Sequence, residues 1–449
     1  MDVYTGSHEG LRVVEVEVEL EDMTQARNFE PPSWFGPEIT DRPLGENVLW
    51  HANPAVGSLT ALHGSLFDHL FSTTKSLSKE CSMAKLSNYR DSGVDYHVLD
   101  RIKREAIDRA KATSGLLGLV GAEEVPESRG ASAYVFKTGG MTMAMVIEGL
   151  GTKSLIAHHV LRDGGPNRYA DVAVDAVAAI VNDVVSVGAA PLVITAYFST
   201  GDAAWYADKD RATALLSGWQ RACEESGATW GGGESPALPG LVAADGLELA
   251  GSALGIVPPG RDAVLGQDVA PGDRIVLLAS SGLHANGASL ARRVAADLPQ
   301  GYSTDLPSGR TLGEALLDPS IIYARFVRAL LASEVRPKFL NGVTGHGLMK
   351  VMRAPKQVRY VLETVPEVPE VLDFLTQQTG MSTAEAYGTL NMGIGYAAVV
   401  AADDADETVR LAEAVGYQVW NAGEVVTGDR SLSVPHLGIE FADGDLRLG

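Results

Sequence analysis

Six segments of the 449-residue chain set acidic, basic, amide, imidazole or hydroxyl side chains among glycines or in a polar turn. Tyr89-Arg90-Asp91-Ser92-Gly93-Val94-Asp95 is a polar turn leading to a helix, where Asp95 alone could simply be an N-cap. In Glu148-Gly149-Leu150-Gly151-Thr152-Lys153 a strand delivers an acid to its end, and Gly149 and Gly151 let backbone come close to phosphate. Thr152 and Lys153 add a hydroxyl and a cation. These are the parts of a P-loop without its spacing, and a plain strand-to-helix turn reads about as well. Positions 175, 179, 182 and 183 share one face of a predicted helix. Asp175, Asn182 and Asp183 are costly inside that otherwise apolar helix unless they are paired. Their oxygens suit Mg²⁺, a hard cation that bridges nucleotide phosphates; the alternative is a solvated stripe. Gly231-Gly232-Gly233-Glu234-Ser235-Pro236 is a glycine turn with one acid, where phosphate and metal could also meet. The last two segments are Ser280-Ser281-Gly282-Leu283-His284-Ala285-Asn286-Gly287 and Thr344-Gly345-His346-Gly347. A histidine in a Gly-rich loop suits a general acid/base or a phosphate contact. His51, His63, His69, His158 and His159 lack such a setting.

The elements that must position these groups alternate strand with helix, the mark of an α/β (α+β) chain. Residues 100–117, 170–187, 209–226, 287–298 and 320–332 read as helices by their three-and-four apolar spacing. Residues 142–148, 192–198, 247–257, 274–279 and 396–401 read as strands. The Pro/Gly-rich stretch 258–274 is the best internal boundary. The expected division is an extension, 1–86, and two α/β domains, 87–260 and 261–449. Within the extension, 13–21 (VVEVEVELE) alternates strictly, as a half-exposed strand would, and 55–86 reads as a linker or loose helix.

Net charge is −21, which argues against non-specific binding to nucleic acid or anionic membrane. It leaves a phosphate-bearing small ligand open, since backbone N–H groups and Mg²⁺ can hold one on an acidic protein. The sequence offers no apolar run long enough to span a bilayer and no secretory signal, so a cytoplasmic setting is expected. Cys81 and Cys223 fit neither a disulfide framework nor a zinc motif.

Taken together and in order, these segments resemble the aminoimidazole ribonucleotide (AIR) synthase family and its ATP-binding superfamily. The matching pieces are residues 89–95, 148–153, 175–190, 232–234 and 280–287, joined by Leu390-Asn391-Met392-Gly393-Ile394-Gly395 and Gly423-Glu424-Val425. The resemblance covers about residues 87–430. It implies two α/β domains, with the N-terminal ones pairing in a homodimer, and ATP with Mg²⁺ at the glycine-rich loops. It implies phosphorylation of an amide oxygen of formylglycinamidine ribonucleotide, followed by ring closure to the aminoimidazole. Carried over position by position, Glu148 (where the family usually has Asp), Asp175 and Asp183 would hold the metal. Lys153 would neutralise phosphate and His284 would contact substrate, with Lys153, His284 and Asp183 as the catalytic set. Gly149, Gly151, Thr152, Asn182, Gly232, Gly233, Glu234 and Asn286 would complete the nucleotide site. Ala190 and Ala196 stand where the family usually has acids, 235–238 departs from its usual run, and His346 interrupts a glycine triplet. The chain is therefore a divergent branch.

Other superfamily chemistries remain alternatives: thiamine-phosphate kinase, selenophosphate synthetase, a hydrogenase-maturation dehydratase, or a non-catalytic nucleotide sensor. Residues 13–21 with 29–40 also resemble the final strand and tail of CYTH-type triphosphate-processing domains. One acidic strand cannot build their tunnel, so a docking arm or remnant is expected.

Overall fold

The computed structural model describes residues 3–8, 11–16 and 96–446, with side chains for 102–103 and 105–446. It divides into two compact units, Met1–Ala84 and Lys85–Gly449. In the first, β1 (Val3–His8) pairs antiparallel with β2 (Leu11–Val16), from Val3 opposite Val16 to His8 opposite Leu11. The expected strand 13–21 overlaps β2 as far as Val16. Its remainder, the CYTH-like tail, the 55–86 segment and the 89–95 motif lie outside the described residues.

The second unit opens with α1 (Tyr96–Lys111) and contains two sheets. The six-stranded sheet has the order β3 (Ala122–Glu124), β4 (Tyr134–Thr138), β5 (Met141–Gly149), β8 (Leu247–Val257), β6 (Ala190–Thr200), β7 (Thr229–Glu234). All its pairings are antiparallel except β6 with β7. Two helices, α2 (Lys153–Arg162) and α3 (Tyr169–Ser186), follow β5, and α4 (Lys209–Ser226) leads to β7. Alternate residues of β8 are buried from Leu247 to Val257, as a strand with one covered face requires. Helix α3 is apolar nearly all round and packs on α4, β5, β8 and, across the domain seam, on β10 (Phe339–Gly342). Its close approach to β8 needs glycine there. A Cβ on Gly251 would lie 2.3 Å from Thr195 O and 2.8 Å from Ile180 Cδ1.

The seven-stranded sheet has the order β10, β12 (Ile394–Val400), β9 (Arg274–Ala279), β13 (Val419–Val426), β11 (Arg359–Leu362), β14 (Ser431–Val434), β15 (Ile439–Ala442). Only β11 and β14 run parallel. Strand β12 is buried at every residue, as its all-apolar run IGYAAVV demands. Around this sheet run α5 (Ala288–Asp297), α6 (Leu312–Leu316), α7 (Ala324–Ala332), α8 (Glu370–Thr379), α9 (Thr383–Tyr387) and α10 (Ala405–Ala414).

Two expectations change. The helix expected over 320–332 begins only at Ala324, because the backbone of 320–323 is bonded to the other domain. The glycine turn expected at 231–234 is instead the end of β7, an edge strand.

Candidate functional site

Helix α3 carries its polar groups toward the C-terminal domain, and most of them grip one loop, residues 317–323. Asp175 is fully buried; its Oδ1 accepts from both the N–H (2.9 Å) and the hydroxyl of Ser320. Its Oδ2 faces the Lys153 ammonium at 2.7 Å, and Lys153, likewise 0% exposed, also donates to Asp318 O at 3.1 Å. Burial pushes the Asp175 carboxyl above its usual range, against the pull of Lys153 and Ser320. One turn pair further on, Asn182 donates to Ile321 O and accepts from the Tyr323 N–H, both at 2.9 Å. Ser186 meets the Tyr396 hydroxyl at 3.1 Å, and Arg168 donates to Leu317 O at 3.0 Å.

These contacts correct three expectations. Asp175 is committed to Lys153 and Ser320, which leaves it unsuited to metal. Lys153 is sealed in the same pair, away from any phosphate that enters from solvent. Asn182 is saturated by backbone, so it is a clamp rather than a nucleotide contact. His284 is a fourth correction. It is 7% exposed and sits at φ +59. Its Nε2 accepts from the N–H groups of Ser281 (3.1 Å) and Ile321 (3.5 Å). Burial, aided by Lys153, pushes its pKa down to about 3. A neutral imidazole with Nε2 occupied serves the loop, not proton transfer to a ligand. Asn391 secures the same loop by donating to Gly282 O and Leu283 O and accepting from Ser280 Oγ.

A second cluster stays open to solvent. Glu148, at the end of β5, and Asp183, on α3, are half-buried and hydrogen-bonded to each other through their carboxyl groups. Burial raises the Glu148 carboxyl to about 7, and Asp183 raises it further. Burial likewise raises Asp183, opposed by the cations Lys350 and Arg353. Those two belong to the short 3-10 turn Gly347–Arg353 of the C-terminal domain. Burial pulls Lys350 down to about 8. Arg353 donates to Gly130 O at 2.6 Å, which ties the turn to the N-terminal domain. Lys103 of α1 also acts on Glu148 and Lys350. Sequence reasoning found Glu148 and Asp183 but missed Lys350, Arg353 and Lys103. The cue was near: Lys350 and Arg353 directly follow the Gly-His-Gly loop that contains His346.

The glycine loop after β5 holds a further acid that sequence reasoning missed. The Gly151 N–H bonds to the Glu248 carboxylate, and a Cβ on Gly149 would lie 3.3 Å from Glu248 Oε1. Burial raises the Glu248 carboxyl. Gly151 sits at φ +74, and Thr152 Oγ1 lies 3.1 Å from Ser289 Oγ at the start of α5. Asn286 is half-buried, and its side chain makes no hydrogen bond among the described residues.

Strand pairing aligns Glu148, Gly251, Ala196 and Gly233 in one row across the sheet. Gly233 is three strands from Glu148, about 14 Å at the usual strand spacing. Gly232, Gly233 and Glu234 are exposed on that edge, apart from the Glu148–Asp183 pair. Among the described residues no three His, Cys, Asp or Glu side chains form a group able to hold a metal. Within the same residues no helix is long and apolar enough to cross a membrane. Cys223 is buried with its thiol raised to about 12 by burial, while Cys81 lies outside the described residues.

Two family models match the chain: "AIR synthase related protein, N-terminal domain" over residues 130–257 and "AIR synthase related protein, C-terminal domain" over 270–434. A phosphoribosylformylglycinamidine cyclo-ligase of Methanothermobacter thermautotrophicus is 34% identical over 339 residues, covering 75% of this chain and 94% of the relative. The enzyme of that name from an Anaeromyxobacter species is 36% identical over 351 residues, covering 76% and 96%. Among solved structures, a chain from the crystal structure of a HypE–HypF complex has a TM-score of 0.50 at 18% identity, covering 70% of this chain and 92% of that one; this likeness is one of fold.

Proposed function

The chain belongs to the AIR synthase related protein family, and on that premise we propose that it is an ATP-dependent cyclo-ligase that converts formylglycinamidine ribonucleotide to aminoimidazole ribonucleotide, ADP and phosphate. The observation that carries this reading is identity of 34% sustained over 94% of a cyclo-ligase's length, through both domains. In the reaction the substrate's amide oxygen takes the γ-phosphoryl group of ATP and becomes a leaving group. The substrate's amidine nitrogen then attacks the same carbon, the ring closes and phosphate departs. Such chemistry asks a protein for positioning and charge more than for covalent participation.

The open cluster supports this. Glu148 and Asp183 offer two carboxylates at the cleft, the usual protein share of an Mg²⁺ site whose other ligands are phosphate oxygens and water. Bound there, Mg²⁺ would neutralise phosphate charge. Glu148 and Asp183 hold it once both are ionised; Lys350 and Arg353 face them with the cations that a phosphoryl group needs. We assign Gly149, Gly151 and Thr152 to the near wall of the nucleotide site, and Gly232, Gly233, Glu234 and Asn286 to its far border. The division at 86/87 and 260/261 and a cytoplasmic setting belong to the same reading. So does a homodimer joined through the outer face of the six-stranded sheet. That face leaves Met145, Ile147, Leu192 and Tyr197 uncovered, Ile147 to 75%.

The test is incubation with ATP, Mg²⁺ and formylglycinamidine ribonucleotide, scored for aminoimidazole. Absence of both product and substrate-stimulated ADP release would overturn the reading.

A further inference from the structure

Lys350 is the least committed charge in the open cluster. It is half-buried, yet among the described residues it makes no ion pair or hydrogen bond. The charges that act on it are those of Asp183, Arg353, Glu148 and Lys103. Arg353, three residues on, is pinned by Gly130 O at 2.6 Å; its buried Nε has no hydrogen-bond partner. Lysine has a compact charge on a flexible four-carbon stem, so of the two cations Lys350 is the one free to swing.

The carboxylates opposite are too few for a resident metal. Glu148 and Asp183 share a hydrogen bond, so the pair holds a proton that an incoming cation must displace. Asp175 is spent on Lys153. Position 196, in the same cross-sheet row as Glu148, is alanine and supplies no third acid. A divalent ion entering alone would meet two oxygen donors and an ammonium that repels it. An ion entering with nucleotide phosphates would bring its own remaining ligands, and an anion for Lys350 to turn toward.

We propose that Lys350 is a built-in counter-cation of the Glu148–Asp183 pair, keeping a free divalent cation off these carboxylates until nucleotide phosphate draws the ammonium away. The displacement half rests on the ATP reading above; the exclusion half does not. Metal binding at this site is thereby made conditional on nucleotide.

Calorimetric titration of the full chain tests both halves, first with MgCl₂ alone and then with Mg²⁺ and a non-hydrolysable ATP analogue. Lys350→Met is expected to bind Mg²⁺ alone at least ~10-fold more tightly than the parent protein, and the analogue at least ~10-fold more weakly; opposite signs are not what a general loss of structure produces. Lys350→Arg, which keeps the charge, is expected to track the parent in both titrations. Circular dichroism checks folding, and Lys350→Gln stands in if the methionine variant does not fold. Mg²⁺ affinity in the neutral variant equal to or below the parent's overturns the exclusion half. Analogue affinity unchanged by the substitution overturns the displacement half. A parent protein that binds no analogue removes the ATP reading together with the displacement half, while the titration with Mg²⁺ alone still decides exclusion.

Discussion

Asp175 and Asp183 stand eight residues apart on α3, about 12 Å along its axis. Both point toward the C-terminal domain, and there the likeness ends. Asp175 meets an ammonium and two Ser320 donors in a sealed seam. Asp183 meets another carboxyl and two cations at a solvent-reached cleft. The first arrangement is complete without a ligand. The second has two acids sharing a proton and a lysine with nothing to bond. One helix thus devotes one end of a polar stripe to joining domains and the other to chemistry, and residue type alone does not tell them apart.

The largest effect that would break this contrast concerns the sealed pair. Lys153→Ala is expected to cost about 3–5 kcal/mol, because it strands a buried carboxylate. Urea unfolding measures it, and a cost below about 1 kcal/mol would mean the pair holds nothing together. Next is Asp183→Asn, expected to lower kcat about 100-fold or more with stability changed by about 1 kcal/mol or less. If both substitutions mainly destabilise, the distinction between the two regions fails.

A smaller effect is pH-dependent. The fold raises the Glu148 carboxyl to about 7, so the folded state favours its protonated form. Its contribution to stability is present below the ordinary carboxyl range and is lost as pH rises through about 7. Without metal, Glu148→Gln is therefore expected to gain melting temperature on the parent protein between pH 5 and pH 8. Mg²⁺–nucleotide affinity of the parent, which needs ionised carboxylates, is expected to rise over the same interval. A flat difference between the two melting curves removes the raised carboxyl from the account. The smallest effect belongs to His284→Gln, which keeps an acceptor for the Ser281 and Ile321 N–H groups. Activity within about 10-fold and an unchanged pH–rate profile are expected. A lost limb of that profile would restore His284 as an acid/base.

Much of the framework is legible in the sequence. Residues 209–226, 247–257 and 274–279 are an element from end to end, because each carries a long, clean apolar period bounded by turn residues. Strands β10, β11, β14 and β15, four residues each, are too short for a period to register and exist by virtue of their sheet partners. The segment 320–323 reads as helix by apolar spacing, but Asp175 and Asn182 take its backbone. At the site, an acid ending a strand and an acid on a helix face are local signals. Lys350 and Arg353 are cations of an unremarked turn until domain packing sets them opposite. The acidic N-terminal arm has no part in either region.

The loop 317–323 also determines how the chain comes apart. Its carbonyl and N–H groups at 317, 318, 320, 321 and 323 are bonded to Arg168, Lys153, Asp175 and Asn182 rather than to its own domain. A C-terminal half expressed alone would carry those groups unmet, and the N-terminal half would carry a buried ion pair laid bare. The two sheets therefore behave as one cooperative folding unit, melting in a single calorimetric transition, and the Pro/Gly-rich stretch between them is a hinge in sequence but not a place where evolution or an engineer can exchange one half for another.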